Sequence, residues 1–125
     1  MKDGKFVILC IDDDQDVLDA LRIVLEKNEY TMIEAKTAEE GLKMYKAEHP
    51  DFIIVDLIME EVDAGRNFAK DLLVLGNKAP VYMLSSVGDS LARNIDFSEL
   101  GLTGVLQKPI DFSSLLTTLR IKLKK

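Results

Sequence analysis

Short apolar runs alternate with segments of helical period along the whole chain, and this alternation constrains the fold more than any other feature. The runs have the length and composition of β-strands; they are residues 6–11, 30–34, 52–56, 81–85 and 104–107. A repeated strand–helix unit predicts a parallel sheet with right-handed crossovers and helices on both faces. We therefore expect an α/β fold of five strand–helix units, a (βα)5 three-layer sandwich.

The composition of the five runs indicates their order in the sheet. Runs 6–11, 52–56 and 81–85 are almost continuously apolar, as expected of central strands buried on both faces. Runs 30–34 and 104–107 are shorter or carry polar residues, which is typical of edge strands. The pattern fits the flavodoxin-like order 2-1-3-4-5, in which ligands bind beyond the carboxyl ends of the strands, at the switch point between strands one and three.

The segments that follow the runs are predicted to be helices. Thr37 and Asp111 are candidate N-cap residues for the second helix and the last one. In the third helix, 65–75, we expect Phe68, Leu72 and Leu75 to face the core and Gly76 to end the helix. The first helix is predicted at 15–28, and the weaker period of 88–100 suggests a short fourth helix.

The composition limits the classes of protein that the chain can belong to. Its 125 residues, 47% hydrophobic and 30% charged, predict one domain over residues 1–125 with a sizeable core. No apolar run approaches the roughly 18 residues of a membrane span, and no secretory pattern opens the sequence. Cys10 is the single cysteine, so no internal disulfide is possible and a reducing cytoplasm is expected. A net charge of -6 argues against direct binding to nucleic acid.

Four of the five runs end on residues that suit phosphate chemistry. The residues are Asp12 and Asp13 after the first run, Asp56 at the end of the third, Ser85 at the end of the fourth, and Lys108 after the fifth. Carboxyl ends of parallel strands meet at one edge of a sheet, so we expect these side chains to lie together. Two carboxylates about 4 Å apart repel by roughly 4 kcal/mol at an effective dielectric of 20. Three of them favour a bound cation, and oxygen ligands favour Mg²⁺, Mn²⁺ or Ca²⁺.

A site of this composition suits phosphoryl transfer. The Lys108 ammonium and the Ser85 hydroxyl can bind phosphoryl oxygens, and a carboxylate in line with the phosphorus can form an aspartyl-phosphate. Each feature alone has a structural explanation, such as an acidic helix N-terminus, a turn residue or a cap. Their occurrence on four strand ends of one topology favours the functional interpretation.

The chain resembles a response-regulator receiver domain of two-component signalling, of the kind found in chemotaxis regulators. The family's acidic pair is matched by Asp12-Asp13, its Asp-x-x-Met pattern by Asp56-Leu57-Ile58-Met59, its hydroxyl by Ser85 and its Lys-Pro by Lys108-Pro109. The resemblance implies that Asp56 accepts phosphate from a histidine kinase or phosphotransfer partner. It also implies a phosphorylation-dependent switch, not a turnover enzyme, that controls an output and is a monomer or a phosphorylation-dependent dimer.

The resemblance also assigns roles to the remaining site residues. Asp13 and Asp56 would ligate Mg²⁺ directly together with the backbone carbonyl of Ile58, and Asp12 would act through water. Ser85 and Lys108 would bind the phosphoryl oxygens, and a cis Lys108-Pro109 bond would direct Lys108 into the site.

The chain departs from the family pattern at several positions. Glu60 follows Met59 where proline is usual, Ala64 stands where glycine is usual, and Ser86 replaces a small alanine. Val105 stands three residues before Lys108, where the family commonly has a tyrosine or phenylalanine whose rotation reports phosphorylation.

Two alternatives to a phospho-accepting receiver stay open on the sequence. The Val105 and Glu60 departures motivate a degenerate receiver-fold interaction module that phosphorylation does not regulate. A metal-dependent phosphatase with an aspartyl-phosphate is the second alternative. Such enzymes usually carry a general acid two residues after the nucleophile, where this chain has Ile58.

Overall fold

The computed structural model describes residues 4–56, 64–86 and 101–123, which form a five-stranded sheet and four helices. The strands are β1 (Val7–Ile11), β2 (Thr31–Ala35), β3 (Phe52–Asp56), β4 (Val81–Ser86) and β5 (Gly104–Lys108). The helices are α1 (Gln15–Lys27), α2 (Ala38–Glu48), α3 (Ala64–Val74) and α4 (Phe112–Leu123). The helix predicted within 88–100 lies outside the described residues.

The sheet is parallel, in the order β2-β1-β3-β4-β5. This order confirms the flavodoxin-like α/β fold predicted from the composition of the runs. Every residue of β1 and β3 is buried, because these two strands lie inside the sheet and are covered on both faces. The edge strands β2 and β5 are only partly buried, which explains their more polar sequences.

Alternate residues of the strands point into two separate apolar cores. One core joins Ile11, Val55 and Met83 to Phe68 and Leu72 of α3, with partly buried residues of α2 packed against it. The other joins the opposite face of the sheet to α1 and α4, through Ile8, Cys10, Phe52, Ile54, Leu84, Leu18, Leu21, Leu25, Leu115 and Leu119. The helices therefore cover both faces and leave the strand ends open.

Side-chain caps fix where the helices begin. The Thr37 hydroxyl accepts a hydrogen bond from the backbone N–H of Glu40 at 3.0 Å, which confirms the predicted cap of α2. The Asp111 carboxylate accepts from the N–H of Ser113 at 3.0 Å and so caps α4, also as predicted. Asp14 caps α1 by accepting from the N–H of Asp16.

The end of α3 differs from the prediction in one respect. Gly76 has a φ of +77° and its N–H donates to the carbonyl of Leu73, so it ends the helix as expected. The helix stops at Val74, however, and Leu75 lies in the turn that follows, with 46% of its surface exposed. The prediction that Leu75 faces the core was wrong, because the turn directs it away from the sheet. Within the described ranges no helix is long and apolar enough to cross a membrane.

Candidate functional site

The predicted site residues that the structure describes lie at the carboxyl end of the sheet. Asp12 follows β1, Asp56 is the last residue of β3, Ser85 lies near the end of β4, and Lys108 ends β5. These four strands lie side by side in the order β1-β3-β4-β5. The parallel topology therefore brings together residues that are almost 100 positions apart in the sequence.

Backbone hydrogen bonds hold Asp12 at the end of β1. Its N–H donates to the carbonyl of Ala35 at 3.1 Å, which continues the pairing with β2 for one residue beyond the strand. Its Oδ1 accepts from the N–H of Asp14 at 2.9 Å. Asp14, which was not among the predicted site residues, thus orients a site carboxylate while it caps α1. Its position just before the first turn of α1 was the feature of the sequence that could have indicated this role.

Three carboxylates converge at this point. Asp12, Asp13 and Asp56 can each offer an oxygen such that the three atoms lie within 4.8 Å of one another. Asp12 and Asp56 are buried, whereas Asp13 is exposed at the mouth of the site. Buried carboxylates at this separation repel strongly, so the cluster needs compensating positive charge.

Lys108 supplies part of that charge. Its Nζ lies 3.0 Å from Oδ2 of Asp12 and 3.4 Å from Oδ2 of Asp56. Burial by itself would lower the pKa of Lys108, but hydrogen bonding and Coulomb attraction to Asp12 and Asp56 outweigh it and raise the pKa above its ordinary value. The side chain is therefore an ammonium at neutral pH. The Lys108-Pro109 peptide bond is cis, as the resemblance implied.

The charges and hydrogen bonds fit a divalent cation bound to oxygen ligands. Three carboxylates and one ammonium leave a surplus of two negative charges. Within the described part of the chain, Oδ2 of Asp12 is buried, and the Lys108 ammonium, which also contacts Asp56, is the one partner found for it. A hard cation such as Mg²⁺ would supply the positive charge that Lys108 alone does not provide.

The remaining predicted site residues differ in what the structure says of them. Ser85 is buried in β4, pairs in register with Gln107 of β5, and stands one residue before Ser86, which pairs with Lys108. Ile58 and Glu60 lie outside the described residues, so a metal-ligand role for the carbonyl of Ile58 stays a prediction. Val105 is partly buried in β5 and pairs with Met83.

Comparison with known proteins decides the family. A family model described as the response regulator receiver domain matches residues 8–120. The chain belongs to this family. A receiver domain of a two-component response regulator is typically a signalling switch and generally uses Mg²⁺, and the carboxylate cluster of this receiver domain fits that ion.

Named relatives and solved structures agree with this assignment. Response regulator MprA of Mycobacterium ulcerans is 30% identical over 118 residues, which are 94% of this chain and 50% of that protein. A putative response regulator from Chloroflexus aurantiacus is 28% identical with a TM-score of 0.85, over 98% of this chain and 100% of that one. Chemotaxis response regulator CheY4 of Vibrio cholerae is 26% identical with a TM-score of 0.82, over 94% and 98% of the two chains. The receiver domain spans about half the length of the curated relatives it matches.

Proposed function

We propose that residues 1–125 form a receiver domain that accepts a phosphoryl group on Asp56 and thereby switches conformation to control an output. The observation that carries the proposal is the convergence of three carboxylates with the Lys108 ammonium at one edge of the sheet. A cluster that only stabilised the fold would not need three carboxylates around one ammonium, since like charges that lie close together repel. The surplus is what a cation and a phosphoryl group require.

The reaction is a transfer from a phosphohistidine of a histidine kinase or phosphotransfer protein. A carboxylate oxygen of Asp56 attacks the phosphorus, a P–O bond forms, and the P–N bond to the imidazole breaks. The imidazole leaves with the electron pair and takes a proton from water. Lys108, which contacts Asp56 at 3.4 Å, is within reach of an oxygen of the incoming group, and its ammonium offsets charge in the transition state.

The carboxylates of Asp12, Asp13 and Asp56 and the carbonyl of Ile58 would hold Mg²⁺, with Mn²⁺ as a substitute. When bound, the ion would neutralise charge that spreads over the phosphoryl oxygens. Asp12 is held by its hydrogen bond from Asp14, so this carboxylate is oriented before either ligand arrives.

Ser85 and Lys108 would transmit phosphorylation of Asp56 to the rest of the domain. A phosphoryl group adds up to about -2 charge at Asp56 and three strong acceptors. The Ser85 hydroxyl and the Lys108 ammonium would move toward these oxygens. Because Ser85 and Lys108 lie on the adjacent strands β4 and β5, both strand ends would shift together. Val105 provides no aromatic ring for the usual readout, so the shift itself carries the signal.

The proposal includes a cytoplasmic location, no direct contact with nucleic acid or membrane, and a monomer or phosphorylation-dependent dimer. The domain would act as a switch and not as a turnover enzyme.

One alternative is a degenerate receiver-fold interaction module that phosphorylation does not regulate, which Val105 and Glu60 favour. Against it stand Asp12, Asp13, Asp56, Ser85 and Lys108, the five acidic, hydroxyl and basic site residues of the family pattern, which the chain retains.

The test is incorporation of label from a small acyl phosphate in the presence of Mg²⁺. The wild type should be labelled, Asp56→Asn should not, and Asp71→Asn, which changes an exposed aspartate of α3, should behave as the wild type. Equal labelling of Asp56→Asn and the wild type would overturn the assignment of Asp56. No labelling of the wild type would favour the degenerate module.

A further inference from the structure

A surface at the opposite end of the sheet carries apolar side chains that take no part in the proposed chemistry. Leu73, Val74 and Leu75, at the end of α3, are 45%, 86% and 46% exposed. They are consecutive, whereas the other large exposed apolar residues in the described ranges, Ile23 and Ile121, lie on α1 and α4. Consecutive side chains at a helix end project in different directions, and Leu73 is the one of the three that lines the cavity described next.

A cavity of about 360 Å³, lined in part by Leu73, is defined here as the rear cavity. Its apolar wall includes Leu72, Leu73, Pro80 and Val81, and its polar wall includes Asn77, Lys78, Thr103 and Lys122. The cavity lies at the start of β4 and β5. It is large enough for a bulky side chain together with some of its backbone.

Hydrogen bonds within its own walls fix the shape of the rear cavity. The Asn77 side chain donates to the carbonyl of Ala79 at 2.9 Å and accepts from its N–H at 3.0 Å. Thr103 accepts from the N–H of Val81 at 3.1 Å and donates its own N–H to the carbonyl of Val81 at 2.8 Å. A pre-formed cavity binds with little ordering cost.

The charge around the rear cavity is opposite to that of the whole chain. Lys78 and Lys122 line it, and no carboxylate does among the described residues. Neither ammonium makes an ion pair within residues 4–56, 64–86 and 101–123. The chain as a whole has a net charge of -6, so this surface is a local cationic exception.

We infer that the rear cavity binds a segment of a partner protein in which a bulky apolar residue is flanked by aspartate or glutamate. The apolar anchor would enter between Leu72 and Val81, and its acidic neighbours would pair with Lys78 and Lys122. A second copy of this chain fits less well, because a two-fold contact would place the lysines of one copy against those of the other. A membrane also fits less well, since recognition of anionic lipids usually takes a cluster of four or more cations on a convex or flat surface.

The rear cavity and the carboxylate cluster can be occupied at the same time. Val81 and Ser85 are four residues apart on β4, which is about 13 Å at the rise of a strand. The partner would therefore leave Asp56 open to a phosphodonor. The inference does not depend on phosphorylation of Asp56.

The experiment is selection from a displayed random peptide library on the full immobilised chain. Selected peptides should carry acidic residues around a leucine or aromatic residue. Their affinity should fall at least tenfold for the Lys78→Glu/Lys122→Glu variant and for Leu73→Ser. The matched controls are Lys43→Glu/Lys46→Glu, which reverses two exposed lysines of α2, and Ile23→Ser on α1; both should bind as the wild type.

Several results would overturn the inference. The selected peptides could be basic or share no consensus, or they could bind the Lys78→Glu/Lys122→Glu variant as tightly as the wild type. The chain could instead bind phosphatidylserine vesicles through Lys78 and Lys122, or associate with itself in a way that this variant abolishes. Label incorporation at Asp56 in the same variants should equal that of the wild type, so failure of this inference is distinct from failure of the proposed function. Circular dichroism of each variant verifies that loss of binding is not loss of folding.

Discussion

Two clusters of charged side chains lie at the sheet of this domain, and they are built on different principles. In the first, defined here as the Arg22 clasp, Arg22 lies 2.8 Å from Glu34 and 2.9 Å from Glu26 and donates to the carbonyl of Met32 at 3.2 Å. In the second, Lys108 contacts Asp12 and Asp56 while Asp13 stands nearby. Both clusters pair one cation with more than one carboxylate.

The clusters differ in hydrogen bonding and in access to water. Each carboxylate of the Arg22 clasp accepts a hydrogen bond, and Glu34 accepts a further one from Gln15. Glu26 is also half exposed, so water screens its charge. Asp12 and Asp56, by contrast, are both buried and share one ammonium, that of Lys108. The difference indicates that the clasp stabilises the fold, whereas the carboxylate cluster lowers the stability of the domain as long as no ligand is bound.

The largest expected effect comes from removing the cation of the carboxylate cluster. Lys108→Met keeps most of the side-chain volume but leaves two buried carboxylates without their ammonium, so the free energy of unfolding should fall by about 2 to 3 kcal/mol. Because Mg²⁺ supplies the missing charge, adding it should raise the melting temperature of this variant more than that of the wild type. Thermal denaturation with and without Mg²⁺ measures both quantities. An equal Mg²⁺ response in the two proteins would contradict the electrostatic account.

A smaller effect is expected on metal affinity. Asp13→Asn removes one charged ligand from the mouth of the site, so the affinity for Mg²⁺ should fall at least tenfold, about 1.4 kcal/mol. Asp19→Asn, on an exposed part of α1, is the matched control and should bind Mg²⁺ as the wild type. Titration by isothermal calorimetry gives the constants, and equal losses in the two variants would show that the effect is only one of net charge.

Removing a carboxylate from the carboxylate cluster and removing the cation from the Arg22 clasp should have opposite effects on stability. In the absence of metal, Asp56→Asn relieves carboxylate repulsion and should raise the free energy of unfolding by about 1 kcal/mol. Arg22→Met removes hydrogen bonds from Glu26, Glu34 and Met32 and should lower it by about 1 kcal/mol. Urea denaturation measures the free energy of unfolding of both variants. A destabilised Asp56→Asn variant would mean that Asp56 is mainly structural.

The smallest expected effect is a dependence of the Arg22 clasp on pH. The hydrogen bond from Arg22 lowers the pKa of Glu34 below its ordinary value. A carboxylate with a lowered folded pKa stabilises the protein above its unfolded pKa, near 4.3, and that contribution is lost as the pH falls through the folded pKa. The difference in stability between the wild type and Arg22→Met should therefore be constant near neutrality and shrink by a few tenths of a kcal/mol below about pH 4. A difference that grows as the pH falls would contradict this sign.

The sequence predicts the carboxylate cluster better than it predicts the Arg22 clasp, and the reason is topological. The cluster lies where strands end, and strand ends follow from apolar runs such as 52–56, so a parallel sheet is sufficient to bring Asp12, Asp56 and Lys108 together. The clasp joins a helix flank to an edge strand, and that contact depends on how α1 is rotated on the sheet. The apolar stripe of α1 indicates which face is buried, but it does not specify which strand residues the flank of the helix meets.

The fold shows the same distinction between long-range order and local detail. Strand order was predictable because burial on two faces leaves a continuous apolar run, as in β1 and β3. The exposure of Leu75 was not predictable from the sequence. Leu75 continues the helical spacing of α3, but the backbone turn at Gly76 ends the helix before Leu75. The rear cavity was also not predictable from the sequence, since Lys78 and Lys122 are distant in sequence and only the tertiary fold places both in its wall.

The central claim is that the carboxylate cluster binds Mg²⁺ and a phosphoryl group on Asp56. Backbone chemical shifts recorded with Mg²⁺ and beryllofluoride, a mimic of an aspartyl-phosphate, test it most directly. We predict shifts centred on Asp56 that extend through Ser85 to Lys108, require Mg²⁺ and disappear in Asp56→Asn. Unchanged shifts at Asp56 in the wild type at saturating Mg²⁺ and beryllofluoride would contradict the claim.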